Sequence, residues 1–202
     1  KSKALMKDLL GDQVDLENMP FYGLAEVKVA GRSCVISQSG FSGEAGYEIY
    51  LRDATLYADD MWNAVLEVGK KHQLMVIAPA HHRRIQAGIL SWGQDMDQQH
   101  NPYQCNLGYQ VSLSGKGEWN KTSDYVGKAA LEKMGKELKD GKKPYALQLV
   151  GFEMGGKPID DYAPDFWLIS NESGGDPVGF ITSPWWHPEK KTNIAMGYVP
   201  FD

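Results

Sequence analysis

The sequence predicts an α+β chain: an antiparallel sheet with flanking helices, followed by an incomplete all-β barrel. Three observations carry this. Up to about residue 143, stretches of alternating polarity are interleaved with stretches of helical period. From residue 144, short strand-like runs follow one another with turn residues between them. No run of 18 apolar residues interrupts either part. The expected division is therefore 1–143 for the α+β part and 144–202 for the β part, at a basic, glycine-containing break.

Taken in order, "KSKALMKDLL" lacks the apolar core of a signal segment, and residues 2–10 read as a short amphipathic helix. "LAEVKVAGRSCVISQSG" alternates on either side of Ala30-Gly31-Arg32 and predicts a hairpin, with strands near 24–30 and 33–38. "SGFSGEAGYEIYL" supplies a glycine-broken turn and a third strand, about 46–52. Asp53 offers an N-cap to a helix over 54–71, whose Tyr57, Met61, Val65 and Val68 keep helical spacing. "LMVIAPA" reads as a short strand or turn ended by Pro79. "HHRRIQAGILSW" (81–92) reads as a second helix stopped by Gly93. Residues 93–124 have weak periodicity and are long for a plain loop. "VGKAALEKMGKELKDGKK" (126–143) reads as a helix followed by the basic, glycine-containing break. "YALQLVGFEM", "DFWLIS", "GDPVGFITS" and "TNIAMGYVPFD" then read as barrel strands.

Composition narrows the function. The 202 residues carry a net charge of −5, which argues against a general nucleic-acid or anionic-membrane surface, so neither partner is expected. Two cysteines make no disulfide framework and point to a reducing compartment. Six Trp and ten Tyr offer many flat faces with polar tips, suited to cofactor pockets and to ordinary cores alike.

Several motifs lead nowhere. Gly115-Lys116 lacks the first glycine of a P-loop, because Gln110 stands there, and Gly117 replaces the magnesium-binding Ser or Thr. "GFSGEAG" is followed by a strand, unlike a dinucleotide fingerprint. His81 and His82 are adjacent, about 100° apart on a helix. His100 and His187 are remote, and no Cys pair has ligand spacing, so no metal is expected. Cys34 reads as a buried, inert thiol. Asp95 and Asp97 lack the glycine and terminal Glu of a calcium loop. Asp95, just past a helix end that disfavours a carboxylate, needs a compensating bond, and a structural loop bond is preferred to catalysis.

Glu48 is the candidate that remains. On a strand, Glu48 and Tyr50 share one face, and Tyr47 and Ile49 share the other. The second face reads as core. The first sets an acid beside an aromatic, with Phe41 brought in by the Gly43 and Gly46 bend. A flat heterocycle with adjacent N–H donors would suit that face; the plain alternative is an edge-strand glutamate in water.

Four stretches resemble the glycine cleavage T-protein superfamily of aminomethyltransferases and folate-dependent relatives. They are "SGFSGEAGYEIYL" (39–51), "RIQAGILSWGQDMD" (84–97), "YVGKAALEK" (125–133) and "GFITSP…KKTNIAMGYVP" (179–200). The resemblance implies tetrahydrofolate as cofactor. It implies that Glu48 holds the pterin and that Phe41 and Tyr50 line the pocket, with Tyr47 either core or pocket wall. It implies transfer of an aminomethyl or methyl unit from a small-molecule or carrier-bound donor, a lipoyl carrier protein among them. The expected compartment is the cytoplasm, or the mitochondrial matrix in a eukaryote.

Two departures from the family pattern matter, one in the residues ahead of the second helix and one in length. The family's Arg-Asp ahead of the second helix is replaced by Ala80-His81, with only the later Arg84 kept. "SWGQDMDQQHNPYQC", including Cys105, is similar to the dimethylsulfoniopropionate demethylase branch, where a tyrosine matching Tyr50 lies at the substrate end. A cationic donor near an aromatic face is physically sensible. Family members are longer, so the chain is expected to be a middle-to-C-terminal part. The catalytic acid–base group is expected to lie outside it and is assigned to no residue here. Trp185, Trp186 and His187 read as an aromatic loop, weighted no higher than a packed turn. The rivals are a non-catalytic folate-binding maintenance protein and a stand-alone interaction domain. "SDYVGKAAL" has no cysteine where the maintenance proteins carry a Lys-Gly-Cys-Tyr type motif.

Overall fold

The computed structural model describes residues 1–113, 123–162 and 165–201; the Gly115-Lys116 pair lies outside them. The chain divides into two compact units, Lys1–Ala87 and Gly88–Asp202.

The first unit is a three-stranded antiparallel sheet with helices. It runs α1 (Ser2–Leu10), β1 (Leu24–Val29), β2 (Arg32–Ser37), β3 (Glu48–Leu51), α2 (Ala54–Gly69) and α3 (His81–Gln86), with strand order β1-β2-β3. The β1–β2 turn is two residues long, with φ of 50° at Ala30 and 77° at Gly31. Two positive φ values make it a type I′ turn, whose twist matches the strands it joins. The register sets Val27 opposite Cys34 and Ile36 opposite Ile49. One sheet face is thereby apolar. It packs with Met6 and Leu10 of α1, Leu16, and Met61 and Val65 of α2. Burying each such side chain stabilises the fold by about 1.5–3 kcal/mol. The outer edge of β1 is partly closed by a side chain. Lys28 N donates to Gln13 Oε1 (2.7 Å), and Gln13 Nε2 donates to Lys28 O (2.9 Å). This takes up groups that a free edge would offer to another strand.

Three expectations need correction in this part of the chain. Asp53 precedes α2 but makes no side-chain cap bond, because its φ is 54°. A capping side chain reaches the first-turn N–H groups from an extended backbone. Residues 74–80 form no regular element. The helix predicted over 81–92 ends at Gln86, and Gly88, at φ 70°, turns the chain just beyond it. Gly93 serves a later turn instead, donating its N–H to Met96 O (2.7 Å).

The second unit holds α4 (Lys128–Lys139), with Gly141 of the basic break just beyond its end, and, among the described residues, four strands. These are β4 (Leu147–Met154), β5 (Trp167–Ser170), β6 (Pro177–His187) and β7 (Thr192–Pro200), in an open antiparallel sheet of order β4-β7-β6-β5. Trp185, Trp186 and His187 are the end of β6 and not a loop: they pair with Ile194, Asn193 and Thr192. The register of β6 against β7 shifts between Ile181 and Ser183, which leaves Thr182 as the extra residue of a β-bulge. No helix among the described residues is long and apolar enough to cross a membrane.

Candidate functional site

Strand alternation sends Glu48 outward. Ile49 and Leu51 pack against the core of the first unit, so Glu48 and Tyr50 occupy the opposite face. Ser37 is directly across the ladder from Glu48. Two residues beyond it, Ser39 folds back. Its Oγ lies 2.9 Å from Ser37 Oγ and donates to Glu48 Oε2. Tyr50 Oη donates to the same oxygen at 3.2 Å. The bond to Glu48 raises the Tyr50 phenol above its ordinary value of 10.0, with desolvation and the Glu48 charge acting in the same direction. Ser37 and Ser39 are buried, whereas Glu48 and Tyr50 are exposed. Among the described residues, both bonds to the carboxylate fall on Oε2, and Oε1 accepts none.

The loop leading into β3 is pinned from several sides. Ser2 Oγ of α1 donates to Ala45 O (2.6 Å). Arg83 of α3 lies 3.5 Å from Glu44 Oε1. Gly43, at φ 74°, packs so closely that a Cβ there would stand 2.4 Å from Ala87 Cβ. The backbone before Glu48 is thus held by both the first and the third helix.

Of the four predicted cofactor residues, Glu48 and Tyr50 come together as partners. Tyr47 packs against the core. Phe41 stands on the loop, 51% exposed, and among the described residues it has no hydrogen bond or ring contact with the other three. Ala80 and His81, where the family carries Arg-Asp, begin α3. Arg84 is buried on that helix, and its Nε donates to His81 Nδ1 (3.3 Å). Sequence reasoning missed Ser37 and Ser39. The hairpin register could have found Ser37, whereas Ser39 depends on a fold-back that no local pattern announces. It also missed the exposed ring pair Phe21–Tyr22, with centroids 4.2 Å apart. Tyr22 has a φ of 63° and extends the β1–β2 ladder by donating to Gln38 O (2.9 Å).

The second unit has its own buried polar cluster. Asp95 is 1% exposed. Its Oδ2 accepts the Ser91 N–H (2.8 Å), and its Oδ1 accepts the hydroxyls of Thr182 (2.5 Å) and Ser183. The bulge turns both hydroxyls toward the one oxygen. Tyr198 Oη donates to Asp95 O (2.7 Å) and lies 3.4 Å from Cys105 Sγ. Burial raises the Cys105 thiol above its ordinary 9.0, leaving it a poor nucleophile. These bonds supply the compensation that a buried Asp95 carboxylate needs.

Chemically, the first-unit site is an acceptor-only carboxylate, fixed at one oxygen and open at the other, next to a half-exposed phenol ring. That arrangement can hold the N–H edge of a flat group.

The comparisons agree with the resemblance read from the sequence. The family described as the GCVT N-terminal domain matches residues 1–115. Over 203 residues the chain is 29% identical to an aminomethyltransferase of Halothermothrix orenii, covering 100% of this chain and 51% of that protein. Over 201 residues it is 30% identical to the dimethylsulfoniopropionate demethylase DmdA of Ruegeria pomeroyi, covering 98% and 49%. The chain thus spans about half the length of the curated relatives it matches. The crystal structure of glycine cleavage system aminomethyltransferase T from Bartonella henselae matches with a TM-score of 0.70 over 98% of this chain and 48% of that one. At 22% identity, that match speaks for the fold. With the family match covering more than half its length, the chain belongs to the GCVT family, that of the glycine cleavage T-proteins.

Proposed function

We propose that this chain serves a tetrahydrofolate-dependent transfer of a one-carbon unit, and that Glu48 is its pterin anchor. The observation that carries the reading is the carboxylate itself. It projects from the solvent side of β3 with Oε2 engaged by Ser39 and Tyr50, and with Oε1 available as an acceptor. The residues present fit the group: a pterin offers adjacent N–H donors to a carboxylate, and its flat faces suit the exposed rings of Phe41 and Tyr50. Folate, when bound, supplies the nitrogen that accepts the one-carbon unit. The chain's own residues bind and orient it, so that the acceptor nitrogen meets the donor at a fixed distance.

The experiment is a calorimetric titration of tetrahydrofolate into the protein and its Glu48→Gln variant. The substitution keeps shape but removes the charge-assisted acceptor. It should weaken binding by about 1–3 kcal/mol, a rise in Kd of roughly five- to a hundredfold. Unchanged affinity rejects the assignment.

For the donor, Tyr50 favours a second reading within the same chemistry. Its ring is 54% exposed and its hydroxyl is tied to Glu48, so it presents a fixed aromatic face. A sulfonium or methylammonium donor would be attracted to such a face. An aminomethyl group on a lipoyl carrier is the other candidate. Turnover with each donor in the presence of tetrahydrofolate separates the two.

A further inference from the structure

The geometry points to Ser39 as a positioning residue of this site, one that holds Glu48 in its ligand-accepting orientation. The inference rests on the reading of Glu48 as the pterin anchor. A glutamate side chain on a solvent-facing strand ordinarily samples many rotamers, and ordering it on binding costs free energy. Here Ser39 removes much of that freedom beforehand. It is 7% exposed, and Ser37 beside it is 5% exposed, so both hydroxyls are largely shut off from water.

Proton counting fixes the direction of the chain of bonds. Ser39 has one O–H and two oxygen neighbours, Ser37 Oγ at 2.9 Å and Glu48 Oε2. A carboxylate only accepts, so Ser39 donates to Glu48 and takes its own incoming bond from Ser37. Glu48 is thus the terminus of a buried two-serine relay, braced from its other side by Tyr50. With two donors on Oε2, the lone pairs of Oε1 are the ones left for a ligand. The bend that brings Ser39 back is held by the Gly43–Ala87 and Ser2–Ala45 contacts, so the relay's geometry is a property of the fold and does not depend on the ligand.

The test is a double-mutant cycle on tetrahydrofolate affinity, measured by calorimetry, with urea denaturation in parallel. Ser39→Ala should raise Kd by roughly three- to tenfold, the net scale of one lost hydrogen bond. Ser39→Thr, which keeps the hydroxyl, should restore affinity to within about twofold of the parent. In the Glu48→Gln background, Ser39→Ala should add little further loss, because the group it positions is already altered. An equal loss in both backgrounds would show that Ser39 acts through general folding and would overturn the inference. So would an unchanged Kd in Ser39→Ala alongside a weakened Glu48→Gln, which leaves the pterin-anchor reading intact. An unchanged Kd in Glu48→Gln removes that reading, and this inference with it.

Discussion

At Asp95 the physics of a single residue is sharpest. A carboxylate shut away from water is tolerable only when its oxygens are bonded. Here the Ser91 N–H and the Thr182 and Ser183 hydroxyls do that work, two of them delivered by one extra residue in β6. Removing the acceptor takes this partner from the part-buried Ser91 N–H and the buried Ser183 hydroxyl, while Thr182 Oγ1 can still donate to Met196 O (3.1 Å). Asp95→Ala should therefore destabilise the second unit by on the order of 3 kcal/mol, at about 1–3 kcal/mol for each donor left unpaired and with partial relaxation. Urea denaturation reads this directly, and a loss below about 1 kcal/mol would show that water replaces the carboxylate. In the sequence, the need for a compensating bond at Asp95 rests on a helix end at Gly93, but the helix stops at Gln86, and it is burial of the carboxylate that requires the bond. The identity of its partners was not legible. Thr182 and Ser183 are almost ninety residues away, and only the bulge brings both hydroxyls to the same oxygen. Glu48 divides in the same way. Its outward face followed from period-two alternation with Ile49 and Leu51, whereas the Ser39 bond required the tertiary fold of a glycine-rich loop.

Elements were legible where a local rule decides them. The β1–β2 hairpin and α1 fall where alternation, turn residues and helical spacing put them. Ile85 and Ile89 keep helical spacing past Gly88, but the left-handed backbone at that glycine outweighs the pattern and the helix stops at Gln86. The two tryptophans and His187 at the end of β6 break simple alternation and so suggest a loop; pairing with β7 overrides that. The loop between β2 and β3 is the element that sets the site, and Gly43 tests how tightly. Its positive φ disfavours a side chain, and a methyl there would meet the Ala87 methyl at 2.4 Å. Gly43→Ala should destabilise the first unit by about 1–3 kcal/mol, combining backbone strain with overpacking. It should also weaken tetrahydrofolate binding, because the loop carries Ser39. Adding Ala87→Gly should recover part of the loss, and no recovery would assign the whole effect to the backbone.

Over the whole molecule, the chain forms two compact units, and the first holds an apolar core of its own. The glycine break near residue 143 is conspicuous in the sequence because a charged helix ends there. Long-range bonds decide which segments belong together: Asn106 Nδ2 donates to Leu149 O (2.7 Å), and Leu149 N donates to Gln104 O (3.0 Å), joining residues 104–106 to β4. Such pairings leave no trace in composition. Charge acts on both units through pH. Asp8 is held below its ordinary 3.8 first by its bond from Lys71 (2.8 Å) and then by His72. Asp15 is lowered chiefly by the Asn18 side-chain amide (2.6 Å). Asp97 is lowered first by the Gln99 N–H (2.8 Å) and then by His100. A carboxyl whose folded pKa is depressed contributes stability above its unfolded value and loses it as pH falls through the folded one. Cys34 and Cys105, raised from 9.0 mainly by burial, behave oppositely: their contribution is complete below that value and is lost as pH rises through the folded pKa. The urea midpoint should therefore be nearly flat from about pH 5 to 8 and fall on either side, below about pH 4 and above about pH 9. Asp8→Asn should lower the midpoint at pH 7 and shrink its drop between pH 7 and pH 3, since one of the titrating groups is gone. An undiminished drop would mean that the Asp8 contact with Lys71 and His72 contributes nothing to folding, and that acid lability resides in the other carboxylates.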